Sequence, residues 1–325
     1  MNIMQRITLG PSGLSVSPIA FGTWQLSQRF WGEQPKSSIV DAVRKAVDLG
    51  INFFDTADAY GDGYAETVLG EALRDVPRND VVVATKWFNH FNADKSRYPD
   101  LSHSYVIERC EASLRRLGVE AVDLALLHFY DPITPLQETA GALEALKKQG
   151  KVLHFGVSNH TVGQIRAQRK FAAYDVVQPS YSLIDPAGEN DLLPYCQSEN
   201  LSVMVYSPVH KGLLSGKYDG TETFDDFRKE HPDFQGDRFR DLCGAVKSLQ
   251  PTADKYGLSI YQLVLAVTLA HPAINVAICG IKTPEQIVEA AGAAGKTIER
   301  SDVFAVRAAV GPSATKVVDA KGVRK

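Results

Sequence analysis

Short apolar runs alternate with amphipathic stretches along nearly the whole of this 325-residue chain, and that alternation limits the architectures open to it. The runs fall at residues 19–21, 51–54, 81–84, 124–127, 152–157, 176–177, 202–205 and 276–278. Most are too short for helices and rich in β-branched or aromatic residues, so they read as buried strands. Between them, Ile39, Val43, Ala46 and Val47 keep helical spacing, and Gly50 follows as a stop. Leu136, Ala140, Leu143 and Leu146 form a second stripe closed by Gly150, and residues 102–117 end at Gly118 in the same way. Eight strands alternating with helices predict parallel β/α units, and the length fits one (β/α)8 TIM barrel, a single domain over residues 1–325. An open, doubly wound dinucleotide-binding sheet would need G-x-G-x-x-G after an early strand. The nearest match, Gly61-Asp62-Gly63, lacks the third glycine.

Two segments depart from the alternation. Residues 7–16, with Pro11-Ser12-Gly13 in the middle, predict a small β-hairpin before the barrel. Residues 217–241 are polar, aromatic and charged without a period, and predict a long, lid-like loop after the seventh strand.

Composition excludes several functions. The net charge is only −3 and no basic stripe appears, so nucleic acid is not expected as a partner. No run of eighteen apolar residues exists, so no membrane span is expected. The opening MNIMQRITLG lacks the apolar core of a secretory signal. Cys110, Cys196, Cys243 and Cys279 are scattered without a C-x-x-C pair, which suits free thiols in a reducing cytoplasm rather than disulfides or zinc. Nothing in the pattern marks an oligomer contact.

In such a barrel the active site is built at the C-terminal ends of the strands. Polar residues stand at those ends: Asp55, Lys86, His128, Ser158 with Asn159, Gln178 and Tyr206. Each alone has an ordinary explanation: a capping Asp, a hydrogen-bonded core His, a solvated Lys. Their convergence on one end of one barrel points to a shared pocket.

The chemistry of that set is proton donation to a carbonyl oxygen. Tyr60, five residues past Asp55 in the same loop, is protonated at neutral pH. A nearby ammonium would stabilise its phenolate and bring its pKa down, and Lys86 supplies that charge. A buried Lys needs a partner, which Asp55 provides. His128 would orient the substrate oxygen, and Trp24, Trp31, Trp87 and Phe88 would wall the pocket together with Tyr60 and His128. No residue here carries a reductant, so a hydride must come from a cofactor. Tyr206 suits stacking on a nicotinamide ring, while Ser158, Asn159 and Gln178 suit its carboxamide. Gly280-Ile281-Lys282-Thr283-Pro284-Glu285-Gln286 runs from the last strand into a helix, a phosphate-binding arrangement.

These residues resemble the aldo-keto reductase family across essentially the whole chain. The resemblance rests on Leu9-Gly10-Pro11-Ser12-Gly13, Phe21-Gly22-Thr23-Trp24 and Asn52-Phe53-Phe54-Asp55-Thr56-Ala57-Asp58-Ala59-Tyr60-Gly61. It continues through Val83-Ala84-Thr85-Lys86, Leu126-Leu127-His128, Gly156-Val157-Ser158-Asn159, Val177-Gln178-Pro179-Ser180-Tyr181-Ser182 and Val205-Tyr206-Ser207-Pro208. It implies a (β/α)8 barrel without a metal, reversible NADP(H)-linked reduction of aldehydes or ketones, and the tetrad Asp55, Tyr60, Lys86 and His128. It also implies cofactor contacts from Gly22, Thr23, Trp24, Asp55, Ser158, Asn159, Gln178 and the run Tyr206, Ser207, Pro208, Val209, Lys211, Leu213, Ser215 and Lys217. Gly280, Lys282, Thr283, Gln286 and Glu289 complete that expected set. Lys282 favours NADP(H) over NAD(H), with NAD(H) still open.

Two positions depart from the family pattern. Val209-His210 stand where Leu-Gly is frequent, and Ala290 stands where an adenine-contacting Asn is frequent. Two rival functions fit the same barrel: a cofactor-sensing regulatory protein with slow turnover, and a Schiff-base lyase using Lys86. The lyase would leave the Tyr206 and Gln286 segments without a purpose.

Overall fold

The computed structural model describes residues 4–92, 94 and 96–311; the expected domain limits, 1 and 325, lie outside them. The chain opens with the expected hairpin, β1 (Ile7–Leu9) pairing antiparallel with β2 (Leu14–Val16). Gly13 turns it at φ 68°, a conformation open to glycine at little cost. Next come β3 (Ile19–Gly22), β4 (Phe53–Asp55), β5 (Val82–Trp87), β6 (Asn89–Phe91), β7 (Arg97–Pro99) and β8 (Val122–Leu127). The series ends with β9 (Val152–Ser158), β10 (Val176–Gln178), β11 (Ser202–Tyr206) and β12 (Val276–Gly280). Eight of these strands pair in parallel and close into a barrel, with β12 returning to β3. This is the (β/α)8 barrel the alternation predicts.

Helices cover the outside. In Lys36–Asp48 the buried residues are Ile39, Ala42, Val43 and Ala46, one stripe facing the strands. Helices His103–Leu117 and Leu136–Lys148 lie within a residue or two of their expected bounds. No helix among the described residues is long and apolar enough to cross a membrane.

Side-chain parity divides the barrel into two cores. Ala20, Phe53, Val82, Ala84, Leu124, Leu126, Val176, Met204, Val276 and Ile278 form one buried cluster with Leu9 and Val16 of the hairpin. Phe21, Phe54, Val83, Ala125, Leu127, Val177, Val205 and Ala277 join the larger cluster with the helices. Successive residues of a strand point to opposite faces. The first set therefore fills the lumen, the second backs onto the helices, and the hairpin plugs the N-terminal end.

The segment after β11 differs from the expected loop at its end. Residues 236–241 begin the helix Gly236–Lys247, which buries Phe239, Leu242, Cys243 and Val246. The helical period starts only at Phe239, because the first turn is Gly-Asp-Arg. The rest is ordered by its own aromatic core, in which Phe224 packs on Phe234 at 5.1 Å and on Phe239 at 5.6 Å between ring centroids. The two-stranded flap β6–β7 was not expected; three-residue strands with exposed side chains at Arg97–Pro99 leave no alternation to detect.

Candidate active site

Parity also builds the site. Continuing the inward sets along each strand brings Asp55, Lys86, Ser158, Gln178 and Tyr206 to the lumen at its C-terminal end. They are the last residues of their strands or next to last, rather than the residues following them. His128 follows β8 with the same parity.

Lys86 is wholly buried and fully partnered. Its Nζ donates to Asp55 Oδ1 at 2.6 Å, to the Thr56 carbonyl at 2.8 Å and to Tyr60 Oη at 3.2 Å. Three acceptors match its three N–H bonds. Burial works against its charge, but Asp55 and Tyr60 more than offset this, and the ammonium is held above its ordinary pKa. Because Lys86 donates to Oη, the phenol's own proton is free to point elsewhere. The Tyr60 pKa moves opposite to expectation: burial raises it, with Asp55 adding to the rise, and the nearby Lys86 only partly counters them. Tyr60 is thus held as the neutral donor.

His128 packs edge-on to Tyr60, with 5.8 Å between ring centroids. Burial, reinforced by the Lys86 charge, lowers its pKa well below 6.5, so the ring is neutral. Its buried Nδ1 has no partner among the described residues.

The next group forms a chain of hydrogen bonds. Gln178 Nε2 donates to Asp55 Oδ2 at 2.8 Å, and Ser158 Oγ donates to the Gln178 carbonyl at 2.9 Å. Asn159 Nδ2 donates to the His128 carbonyl at 3.0 Å, while its Oδ1 accepts from the Tyr206 hydroxyl at 2.7 Å. Asn159 sits at φ 60°, a left-handed conformation that Asn tolerates. The Tyr206 ring is thereby fixed by its hydroxyl at the mouth of the lumen.

The rim is aromatic. Trp24 and Trp31 meet at 5.4 Å, and Phe227 of the long loop packs on them at 5.3 and 4.9 Å. Phe88 lies on the other side against Phe129, which stacks on His128 at 4.9 Å. Trp87 is not in the pocket. It is 1% exposed within the outer core, and its Nε1 donates to Ser113 Oγ at 2.9 Å. Since Lys86 points inward, its neighbour must point out. The sequence reading missed Phe30, Phe129, Phe227 and Arg228, whose loops carry no strand or helix period; the aromatic richness of the long loop was the one available signal.

The model of the aldo/keto reductase family matches residues 18–310. The chain belongs to that family. It is 32% identical to aldo-keto reductase YhdN of Bacillus subtilis over 92% of this chain and 91% of that protein. It is 31% identical to the NADH-specific methylglyoxal reductase of Escherichia coli, over 94% of this chain and 98% of that protein. Among solved structures, the glycerol dehydrogenase of Gluconobacter oxydans superposes with a TM-score of 0.87 at 31% identity, covering 95% of this chain and 96% of that one.

As an oxidoreductase of this family the protein uses a nicotinamide cofactor, and its residues suit one. Arg228, itself paired with Asp226 at 2.5 Å, and Lys217 both act against the charge of Lys282, while Asp226 favours it. Burial and these two cations hold the Lys282 ammonium below its usual pKa, an excess of positive charge that a phosphate would neutralise. Lys282 Nζ lies 4.7 Å from the Trp31 ring, and its backbone N–H donates to Gln286 Oε1 at 2.8 Å. Thr283 starts the helix Pro284–Ala291.

Several expected contacts of the reductase are limited to the backbone or committed elsewhere. Leu213 is 1% exposed in the outer core, so its side chain is not available. Thr23 Oγ1 donates to the Asp55 carbonyl at 3.1 Å. Gly22 faces Ile278, where a Cβ would stand 2.9 Å from the isoleucine methyl. Gly280 leaves its Cβ space to the Gln25 amide. Ser215 Oγ donates to the Gly212 carbonyl at 2.6 Å. Glu289 accepts from Ser259 Oγ at 2.8 Å. Ser207 and Lys211 stand at φ 58° and 57° on either side of Pro208 and Val209, left-handed turns in the segment that follows β11. Ala290 is fully buried.

Proposed function

We propose that this aldo/keto reductase interconverts small aldehydes or ketones with alcohols, taking NADPH in preference to NADH, with Tyr60 as proton donor. The observation that carries the reading is Lys86 Nζ, which touches both Tyr60 Oη and Asp55 Oδ1. A reduced nicotinamide, when bound, supplies the hydride that reaches the carbonyl carbon. Ser158, Asn159 and Gln178 suit its carboxamide, the Tyr206 ring its face, and Lys217, Arg228 and Lys282 its phosphates. Tyr60 holds its proton at Oη until the carbonyl oxygen gains negative charge, then gives it up. Lys86 stabilises the phenolate so formed, and Asp55 keeps Lys86 charged and in place. Neutral His128 orients the carbonyl oxygen. Trp24, Trp31 and Phe227 exclude water and favour carbonyls bearing an apolar group. The preference for NADPH rests on Lys282 and the cations beside it.

Replacing Tyr60 by Phe tests the assignment. Turnover should fall by roughly 10²–10⁴-fold, the size of a general-acid contribution. NADPH titration followed by fluorescence should give an affinity within a few-fold of the parent. Parent-like turnover in Tyr60→Phe removes Tyr60 from the acid role. Tight NADPH binding by the parent without steady turnover on a carbonyl panel favours a cofactor sensor instead.

A further inference from the structure

Outside the tetrad, one group of side chains has the composition and spacing of metal ligands. His210, His231 and Asp233 each bring one potential ligand atom within 4.8 Å of the other two. His210 belongs to the turn that follows β11. His231 and Asp233 belong to the long loop, His231 capping the turn Pro232–Phe234 and Asp233 lying within it. We propose that these three residues form a binding site for a divalent transition-metal ion such as zinc, one that ties the long loop to the turn after β11.

The geometry is close to what coordination requires. His210 Nε2 is 2.8 Å from Asp233 Oδ2, and His231 Nδ1 is 3.9 Å from the same oxygen. Ligands about 2.0–2.2 Å from a tetrahedral zinc stand a little over 3 Å apart, so one pair must open slightly and the other close. Two imidazoles and a carboxylate suit zinc and its neighbours, not calcium or magnesium.

The surroundings orient each ligand. Ser182 Oγ lies 3.2 Å from His210 Nδ1, so with Nδ1 protonated Nε2 is left for the metal. The Asp233 backbone N–H donates to His231 Nδ1 at 3.2 Å, so the His231 lone pair already faces Asp233; coordination would replace that long contact. Arg238 Nε donates to Asp233 Oδ1 and leaves Oδ2 as the ligand. His210 and Asp233 are buried, while His231 is half-buried and is the member of the group most open to solvent. Any proton shared between His210 Nε2 and Asp233 Oδ2, 2.8 Å apart, would leave when the ion binds. The positive charges of Arg238 and Lys211 set the affinity below that of a closed thiolate site.

The consequence for catalysis rests on the reductase reading. The same loop carries Phe227 and Arg228, which close on Trp24 and Trp31. An ion that pins His231 and Asp233 to His210 holds that loop shut and slows exchange at the mouth.

The test uses tag-free, chelator-treated full-length protein. Cobalt(II) should give a saturable visible spectrum of a low-coordinate site, displaced by zinc, and calorimetry with zinc chloride should give one ion per chain. His231→Ala and Asp233→Asn should each weaken zinc by at least about tenfold, while His103→Ala, on an exposed helix end, should not. Zinc should raise the Tm of the parent and leave that of His231→Ala unmoved. No saturable uptake by the parent, or equal affinity in both ligand variants, overturns the site. If Tyr60→Phe turns over normally while zinc still tracks His231 and Asp233, the reductase reading falls and the metal site stands.

Discussion

Gln178 reaches across the barrel lumen to donate its amide to Asp55 Oδ2 at 2.8 Å. Its strand, β10, lies four places from β4 in a ring of eight, on the opposite wall. The Asp55 carboxylate is therefore held at both oxygens, by Lys86 and by Gln178. Replacing Gln178 by Leu strands a buried carboxylate oxygen and should cost about 1–3 kcal/mol of folding stability. Urea denaturation measures this; an unchanged midpoint and slope would mean that the amide contributes nothing to holding Asp55.

The Lys86–Asp55 pair should show strong coupling. Lys86→Met leaves Asp55 charged, buried and short of a partner, a change of about 3–5 kcal/mol. Adding Asp55→Leu removes the stranded charge and should recover part of that loss, although both proteins should be inactive. A double-mutant cycle reads the coupling directly. Additive losses would contradict the pairing.

The pH behaviour follows from two directions of shift. Tyr60 donates only while protonated, and burial raises its pKa, so kcat/KM for reduction should hold through neutral pH and decline only above about 10. His128 is kept neutral by burial and Lys86, so no acid limb near 6.5 should come from it. Stability behaves differently. The unfolded chain takes protons on His128 and His160 near 6.5, whereas the folded chain holds His128 far lower and His160, through burial, at about 4. Stability should therefore fall as pH drops below 6.5, by up to about 1.4 kcal/mol per unit for each group. A stability plateau from pH 7 to 4 would refute this.

Lys282→Ala should raise the KM for NADPH far more than that for NADH, because the lost charge serves the extra phosphate. Equal effects on both would sink the cofactor preference. They would also align this chain with the NADH specificity in the name of its Escherichia coli relative.

Much of this was legible in the sequence. Period-two burial made the strands short and apolar, and placed Asp55, Lys86, His128 and Gln178 at their ends. The same parity, carried one residue further, would have turned Trp87 away from the pocket once Lys86 was set inward. The direction of the Tyr60 shift was not legible, since it depends on how much water the fold removes around the hydroxyl. Phe227, Arg228 and the approach of His210 to Asp233 depend on the path of an aperiodic loop, which local propensity does not determine. The flap Asn89–Phe91 with Arg97–Pro99 escaped for the related reason that Arg97, Tyr98 and Pro99 are all exposed and leave no alternation to read.

Leu9 and Val16 of the opening hairpin are completely buried against the inner wall of the barrel. Packed side chains thus continue without a break from the hairpin up to the level of Asp55 and Lys86, and the tetrad rests on solid protein rather than on a water-filled channel. A cavity-creating change in the hairpin would therefore be felt as lost support beneath the site.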